Sequence, residues 1–97
     1  MSVLSTPDAI FHQPVRTRVA ALLYRDATSF AELKRALDVT DGNLDAHLRK
    51  LGGAGYLHSR VVLEGRPHTV YELSPRGRDA FVLYLKTLRE RVAFADK

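Results

Sequence analysis

The spacing of apolar residues changes along the chain. Apolar side chains recur every three or four positions over about residues 14–24, again over residues 30–38, and a third time over residues 41–51. This period is typical of amphipathic helices, because residues three and four apart share one helix face. The first half of the chain therefore predicts three helices.

Residues 56–73 differ from the segments before them, because β-branched and aromatic residues predominate there. A link containing Gly and Pro at residues 64–67 divides this segment into two runs, which predicts a β-hairpin. Ser74 and Pro75 provide a helix cap and a first-turn proline, so a last helix is predicted to about Phe94. The predicted order is helix-helix-helix-strand-strand-helix, a mainly α fold with a small β-hairpin (α+β).

Short polar residues predict where the second and third helices begin. Ser29 and Glu32 have the spacing of a capping box, in which each side chain satisfies a backbone N–H. Thr40 is suited to cap the third helix. Because the second helix ends near Asp38, the two helices must cross sharply. Residues 7–12 either extend the first helix or form a separate turn, and the pattern allows both.

Length and composition indicate one domain over residues 1–97. The chain has a mass of 10.9 kDa, with 45% hydrophobic and 27% charged residues, which is ordinary for a globular domain. It has no cysteine, which excludes disulfides, thiolate metal sites and a cysteine nucleophile and is compatible with a reducing cytosol. Because the apolar runs are short, we expect a cytoplasmic protein without a membrane span or an export signal.

The charge balance mildly favours a polyanionic partner. Fifteen Lys and Arg against eleven Asp and Glu give a net charge of +4 and an isoelectric point near 9.8. The sequence has no glycine-rich phosphate loop, nucleophile elbow or zinc-ligand spacing, and its four histidines are scattered. We therefore expect no metal site, no cofactor and no enzymatic activity.

Three stretches carry a resemblance to a known family. Residues 39–51 contain a His-Leu pair and a terminal Leu, residues 54–57 add a Gly-Tyr-Leu step, and residues 71–77 read Tyr-Glu-Leu-Ser-Pro-Arg-Gly. Together they resemble the recognition helix, the first wing strand and the strand-to-helix junction of small stand-alone winged helix-turn-helix transcriptional regulators of the MarR/ArsR type. The resemblance covers about residues 15–81.

The resemblance implies sequence-specific binding of double-stranded DNA, usually as a homodimer. A recognition helix at about residues 41–51 would enter the major groove, and a wing at about residues 56–73 would contact adjacent backbone or the minor groove. In one departure from the family pattern, Asp45 stands where many relatives carry a small hydroxyl residue. Asp45 could accept a cytosine amino group, pair with a nearby Arg, or weaken DNA binding. In another, the cysteine motif of many metal-sensing ArsR-type repressors is missing, which excludes thiolate metal sensing.

The third helix is predicted to direct a leucine stripe inward and a narrow polar face outward. The stripe consists of Leu44, Leu48 and Leu51. Gly42 and Ala46 lack bulk and would let the helix approach a groove floor. Asn43 can read adenine, and Arg49 can contact guanine or phosphate. His47 lies at the edge of the stripe, where a hydrogen bond between a ring nitrogen and the backbone is favoured over a DNA contact.

The hairpin would add positive charge beside this helix. Arg66 lies at its tip, where a rigid turn presents an arginine to phosphate or to the minor groove. Arg60 on the preceding strand adds charge to the same edge. With Thr40 at the helix start, where free N–H groups favour phosphate, the candidate DNA-binding residues are Thr40, Gly42, Asn43, Ala46, His47, Arg49, Lys50, Arg60 and Arg66.

The last helix carries more apolar surface than one face of a small core can bury. We expect this helix, at residues 75–97, to form a homodimer with help from the first helix and the N-terminal residues of each subunit. The alternative is that it packs entirely on its own domain. The candidate dimer residues are Ile10, Phe11, Phe81, Tyr84, Leu85, Leu88 and Val92.

Two further interpretations stay open. The hairpin or an outer helix face could dock a protein, with incidental DNA affinity, in a winged-helix protein-interaction module. The positive side chains on the third helix and the hairpin favour DNA over this alternative. A dimer groove lined by Tyr24, Phe11 and Tyr84 could also hold an apolar small-molecule effector, although no motif identifies one.

Overall fold

A computed structural model describes residues 8–95, apart from the side chain of Phe94. The four helices are α1 (Pro14–Arg25), α2 (Phe30–Leu37), α3 (Asp41–Gly53) and α4 (Pro75–Ala95). The three strands are β1 (Thr28–Ser29), β2 (Leu57–Val62) and β3 (His68–Leu73). A short 3₁₀ helix at Ala9–Phe11, called the N-terminal turn below, precedes α1. The wing consists of β2, β3 and the link between them.

The predicted order of helices and hairpin strands is confirmed, but the sheet has a third strand. Its order is β1-β3-β2, with both pairings antiparallel. Thr28 of β1 lies opposite Tyr71 of β3, and Ser29 lies opposite Val70. A strand of two residues is too short to show alternation, so the local pattern did not predict it.

The N-terminal turn is separate from α1, which answers the question left open for residues 7–12. The Asp8 carboxylate caps the turn by accepting a hydrogen bond from the N–H of Ile10 at 3.0 Å. Gln13 caps α1 in the same way, because its side-chain oxygen accepts from the N–H of Arg16 at 3.0 Å. Pro7 lies outside the described residues.

The predicted caps of α2 and α3 are present, with one difference. The hydroxyl oxygen of Ser29 accepts from the N–H of Glu32 at 3.1 Å, but the Glu32 carboxylate accepts from the Ser29 hydroxyl at 3.3 Å and not from a backbone N–H. Thr40 Oγ1 accepts from the N–H of Asn43 at 3.1 Å. Between the helices Asp38 has a φ of 52°, a left-handed conformation that short polar side chains tolerate. This residue turns the chain sharply from α2 into α3.

The end of α3 lies two residues beyond the predicted Leu51. Gly52 and Gly53 still belong to the helix, and the chain leaves it at Gly55 with a φ of 80°. A glycine is favoured there because it adopts this conformation without a steric penalty.

One hydrophobic core joins the helices to the sheet. α3 contributes the predicted leucine stripe, which is 0–5% exposed. The N-terminal turn contributes Phe11, whose ring stacks on Tyr56 at a centroid distance of 5.7 Å and contacts Phe81 at 5.4 Å. Other buried apolar residues are Val19, Ala20, Leu23, Leu33, Leu37 and Leu73.

A close contact fixes the start of α4 against the start of the wing. The Ser74 N–H donates to the carbonyl of Tyr56 at 2.9 Å, and its hydroxyl donates to the carbonyl of Gly55 at 2.6 Å. Ser74 Oγ also accepts from the N–H of Gly77 at 2.9 Å. A Cβ atom at Gly77 would lie 2.2 Å from the Tyr56 carbonyl oxygen, so only glycine allows this approach.

Candidate nucleic-acid interface

The outer face of α3 is exposed along its length. The leucine stripe holds the opposite face against the core, so the remaining side chains are directed outward. The five residues predicted for this face are all exposed: Gly42, Asn43, Ala46, Arg49 and Lys50. Gly42 has no heavy atom within 4 Å of its Cβ direction, which leaves this part of the helix surface open. The role of these residues in DNA binding stays a prediction.

An ion pair on α3 selects one of the interpretations of Asp45. The Nε atom of Arg49 lies 2.9 Å from Asp45 Oδ2, an i,i+4 pair whose side chains are 81% and 50% exposed. Asp45 therefore pairs with a nearby arginine in the free protein. Exposed ion pairs of this kind contribute little to stability, so the main effect of the Asp45 carboxylate is on the position of the Arg49 guanidinium.

The N-terminus of α3 is tied to α2. The Nζ atom of Lys34 lies 2.8 Å from the Asp41 carboxylate in the first turn of α3. Asp41 also lies where the helix dipole favours a negative charge. Thr40 is exposed, and its Oγ1 atom serves as the helix cap.

His47 is half-buried on the flank of α3 and meets a residue of α1. Its Nδ1 atom lies 3.4 Å from the Nη1 atom of Arg16. The expected hydrogen bond to the backbone is therefore wrong, because the partner is a guanidinium. Burial lowers the pKa of His47 below its ordinary value of 6.5, and the positive charge of Arg16 lowers it further.

The wing presents its tip to solvent. Gly65 has a φ of 64° and turns the link between β2 and β3, which leaves Arg66 exposed. The Nε atom of Arg60 lies 3.9 Å from Glu72 on β3, a long ion pair between exposed side chains. Val61 and Leu63 are 61% and 76% exposed. The sequence analysis did not identify these two apolar residues as part of the exposed wing.

The predicted dimer residues fall into three groups by exposure. Phe11 and Phe81 are 1% and 4% exposed in a single chain, so the prediction that they form the dimer surface is wrong. Ile10 and Tyr84 pack as half-buried residues at the edge of the same core. The exposed candidates lie on the second half of α4, with exposed fractions of 45% for Leu85, 41% for Leu88 and 60% for Val92.

The effector groove considered between two chains stays an open interpretation, but one of its three rings is not available to line it. Phe11 is 1% exposed in the core of a single chain, with its ring centroid 5.2 Å from that of Tyr84. Tyr24 lies 6.2 Å from Phe81, and the Arg78 guanidinium lies 4.9 Å above the Tyr24 ring. These rings therefore pack on one another and on a cation.

Two kinds of feature are absent from residues 8–95. No group of three or more His, Asp or Glu side chains there could hold a metal ion. None of the helices in that range is both long enough and apolar enough to cross a membrane.

The sequence analysis named pairing with a nearby Arg among the interpretations of Asp45, but it missed the contact of Arg16 with α3. Asp45 has a local signal, because it stands four residues before Arg49 and such pairs meet on a helix. Arg16 has no local signal, since it is 31 residues from His47 along the chain. Only the packing of α1 against α3 brings them together.

Comparisons with known proteins agree with this geometry. A family model described as a winged helix DNA-binding domain matches residues 15–92. An uncharacterized protein of Methanocaldococcus jannaschii is 40% identical over 78 residues, which cover 78% of this chain and 85% of that protein. The structure of a transcriptional regulator homologue protein from Pyrococcus horikoshii OT3 matches with a TM-score of 0.85 and 31% identity, over 93% of this chain and 91% of that one.

A more distant similarity supports the same fold. A protein from Enterococcus faecalis V583, described as a transcriptional regulator of the MarR family, matches with a TM-score of 0.79 at 23% identity. The match covers 98% of this chain and 96% of that one. At this identity the similarity shows the fold alone, and the predicted winged-helix fold is confirmed.

Proposed function

The chain belongs to the winged helix DNA-binding domain family, whose fold is that of transcription regulators, and we propose that it regulates transcription by reading duplex DNA. In this proposal α3 lies in the major groove, and the wing contacts adjacent backbone or the minor groove. The protein acts as a regulator without catalysis and works in the cytoplasm, where it meets its DNA.

The observation that carries the proposal is the exposed face of α3. Its two small residues, Gly42 and Ala46, lie one turn apart, and longer donor side chains flank them. A helix of this shape fits a groove floor because no bulky side chain holds its axis away. Asn43 and Arg49 supply the amide and guanidinium groups that pair with base edges in the major groove.

The Asp45 carboxylate supports a base-reading role for Arg49. Because Asp45 engages Nε, it limits the rotation of the guanidinium and leaves its two terminal nitrogens for a bidentate contact. An arginine held this way matches the O6 and N7 atoms of guanine better than a freely rotating one. The carboxylate also lowers the net positive charge of the face, which reduces binding to arbitrary duplexes relative to a chosen site.

The wing supports a contact of another kind. Arg66 lies on an exposed turn outside the helix face, and Arg60 lies on the edge strand β2. Long cationic side chains on a projecting hairpin suit phosphate oxygens, whose positions depend little on sequence. The wing then adds affinity on every duplex.

Selection of bound duplexes from a random library tests the proposal. We expect one sequence to be enriched and to bind the native chain far more tightly than its scrambled version at the same salt concentration. Arg25→Ala serves as a matched control and should keep the preference of the native chain. Arg25 is an exposed basic residue in the last turn of α1 and lies outside α3 and the wing. Recovery of random duplexes with only salt-sensitive binding would contradict the proposal and favour the protein-interaction alternative.

We also propose that two chains pair through the second half of α4. Residues 88–93 are all exposed, and the apolar side chains Leu85, Leu88 and Val92 share one side of this segment at i, i+3 and i+7. A self-complementary apolar ridge is typical of a two-fold helix interface. The pairing would also provide two reading helices, as a palindromic site requires.

Sedimentation of two variants tests the pairing. Leu88→Glu places a charge in the ridge and is expected to give a monomer. Lys86→Gln changes the net charge by the same amount at an exposed position outside the ridge, and it is expected to stay dimeric. A native chain that sediments as a monomer at all concentrations would remove the dimer from the proposal and leave DNA reading by α3 to be judged separately.

A further inference from the structure

Arg16 is held at two ends between the N-terminal turn and α3. Its Nε atom donates to the carbonyl of Ile10 at 2.6 Å, and its Nη1 atom lies 3.4 Å from His47 Nδ1. The neighbouring Thr17 hydroxyl donates to the carbonyl of Phe11, which ties α1 to the same turn. Phe11 is buried in the core, so the turn that holds Arg16 is itself anchored.

The chemistry of the two groups decides which ring nitrogen of His47 carries hydrogen. A guanidinium has only donors, so a hydrogen bond with Arg16 requires Nδ1 to be unprotonated and to accept. A neutral imidazole with an accepting Nδ1 carries its hydrogen on Nε2. His47 is half-buried, and the edge of the ring facing Arg16 is the Nδ1 edge. The remaining polar group of the ring is then an N–H donor.

We propose that Arg16 is a positioning residue that holds His47 as the Nε2–H tautomer, so that His47 offers a directed hydrogen-bond donor to DNA. The proposal rests on the proposed function, because it assumes that α3 faces a duplex. His47 follows Asn43 by four residues and precedes Lys50 by three, so it shares a row on the helix with both. The acceptor is an oxygen or nitrogen of DNA, either on a base edge or on a phosphate.

The electrostatics of the site agree with a neutral donor. Burial and the charge of Arg16 both lower the pKa of His47, so the neutral ring predominates at pH 7 and above. His47 therefore differs from Lys50, whose ammonium group attracts any phosphate without regard to direction. Protonation of Nδ1 would place an N–H against the guanidinium and break the contact.

Nitrogen NMR of the free protein tests the tautomer without DNA. The long-range proton–nitrogen pattern of the native His47 ring at pH 7.5 is expected to show hydrogen on Nε2. Arg16→Met keeps an unbranched side chain but removes the donor, and it is expected to give a mixture of tautomers and a pKa closer to 6.5. Arg18→Met, an exposed residue of the same helix, is the matched control and should leave the ring unchanged. Hydrogen on Nδ1 of the native ring would overturn the proposal.

Two substitutions of His47 test the donor in DNA binding. His47→Leu removes the donor. It is expected to weaken binding to the selected duplex about tenfold, because one hydrogen bond is lost. Gln keeps an N–H donor on a side chain of similar reach and should restore most of the affinity. A loss for Leu on the selected duplex alone identifies a base acceptor, and an equal loss on the scrambled duplex identifies a phosphate.

The outcomes separate this proposal from the proposed function. Native affinity for His47→Leu, or equal weakening by Leu and Gln in variants that melt at the native temperature, overturns the donor role. If the native chain binds no duplex, the proposed function fails and the donor role fails with it. The NMR measurement then still shows whether Arg16 sets the tautomer of His47.

Discussion

α3 and the wing are both proposed to contact DNA, yet they are attached to the domain in different ways. α3 buries a stripe of leucines, is capped by Thr40 and is tied to two other helices by Lys34 and Arg16. The wing is anchored at its base by the buried Val70 and Leu73, whereas residues 63–69 are all exposed.

This difference indicates that α3 and the wing contribute differently to DNA binding. Reading a base edge requires donors held to within about 0.5 Å, which a helix packed on a core provides. A phosphate contact made by a long cationic side chain tolerates more motion. We therefore expect specificity to depend on α3 and sequence-independent affinity to depend on the wing.

The largest expected effect is on stability. Leu44→Ala removes a fully buried side chain from α3 and should lower the free energy of unfolding by about 2–5 kcal/mol. Val61→Ala removes apolar atoms from an exposed position of the wing and should change the free energy of unfolding by less than about 0.5 kcal/mol. Urea unfolding measures both, and equal losses would mean that the wing is as firmly packed as α3.

The next effect is on specificity. Asn43→Ala and Arg49→Ala should each cost about 1–3 kcal/mol on the selected duplex and little on a scrambled one. The physical reason is that each removes a base contact and leaves the phosphate contacts in place. Titrations with both duplexes at one salt concentration measure this difference. Equal losses on the two duplexes would show that this face of α3 does not read bases.

A smaller effect is expected at the wing tip. Arg66→Ala should weaken binding to selected and scrambled duplexes similarly and reduce the slope of log K against log salt by about one. The measurement is a salt series with both duplexes. Loss of preference between the duplexes, with an unchanged slope, would assign base reading to the wing and reverse the comparison.

The smallest effect concerns the ion pair of the wing. Glu72→Gln removes the partner of Arg60, but the atoms are 3.9 Å apart and the side chains are exposed. We expect the free energy of unfolding to change by less than about 0.5 kcal/mol. Thermal melting at low and high salt checks this. A larger loss that disappears at high salt would mean that the pair stabilises the hairpin.

Local signals explain why most of the fold was predictable. The cap residues Ser29, Thr40 and Ser74 act on the backbone within three residues, so their sequence positions suffice to place helix starts. The strand at Thr28 needs β3, about forty residues later, and no local pattern could indicate it.

The site was predictable only where it depended on helix periodicity. The outer face of α3 follows from its leucine stripe. α4 is apolar on several sides, so its period does not show which residues meet their own core, and Phe81 was wrongly assigned to a partner. Contacts between distant segments, such as that of Arg16 with His47, arise only from packing.

The Ser74–Gly77 junction has a consequence for the spacing of DNA sites. Because Gly77 lies close to the Tyr56 carbonyl and Ser74 hydrogen-bonds to Gly55 and Tyr56, the start of α4 is held at the start of the wing. In the proposed dimer, this attachment would set the distance and the rotation between the two reading helices. One extra base pair between half-sites would move the second half-site by about 3.4 Å along the duplex and turn it around the axis. Contacts at this junction oppose such a change, so we expect the proposed dimer to prefer one spacing between half-sites.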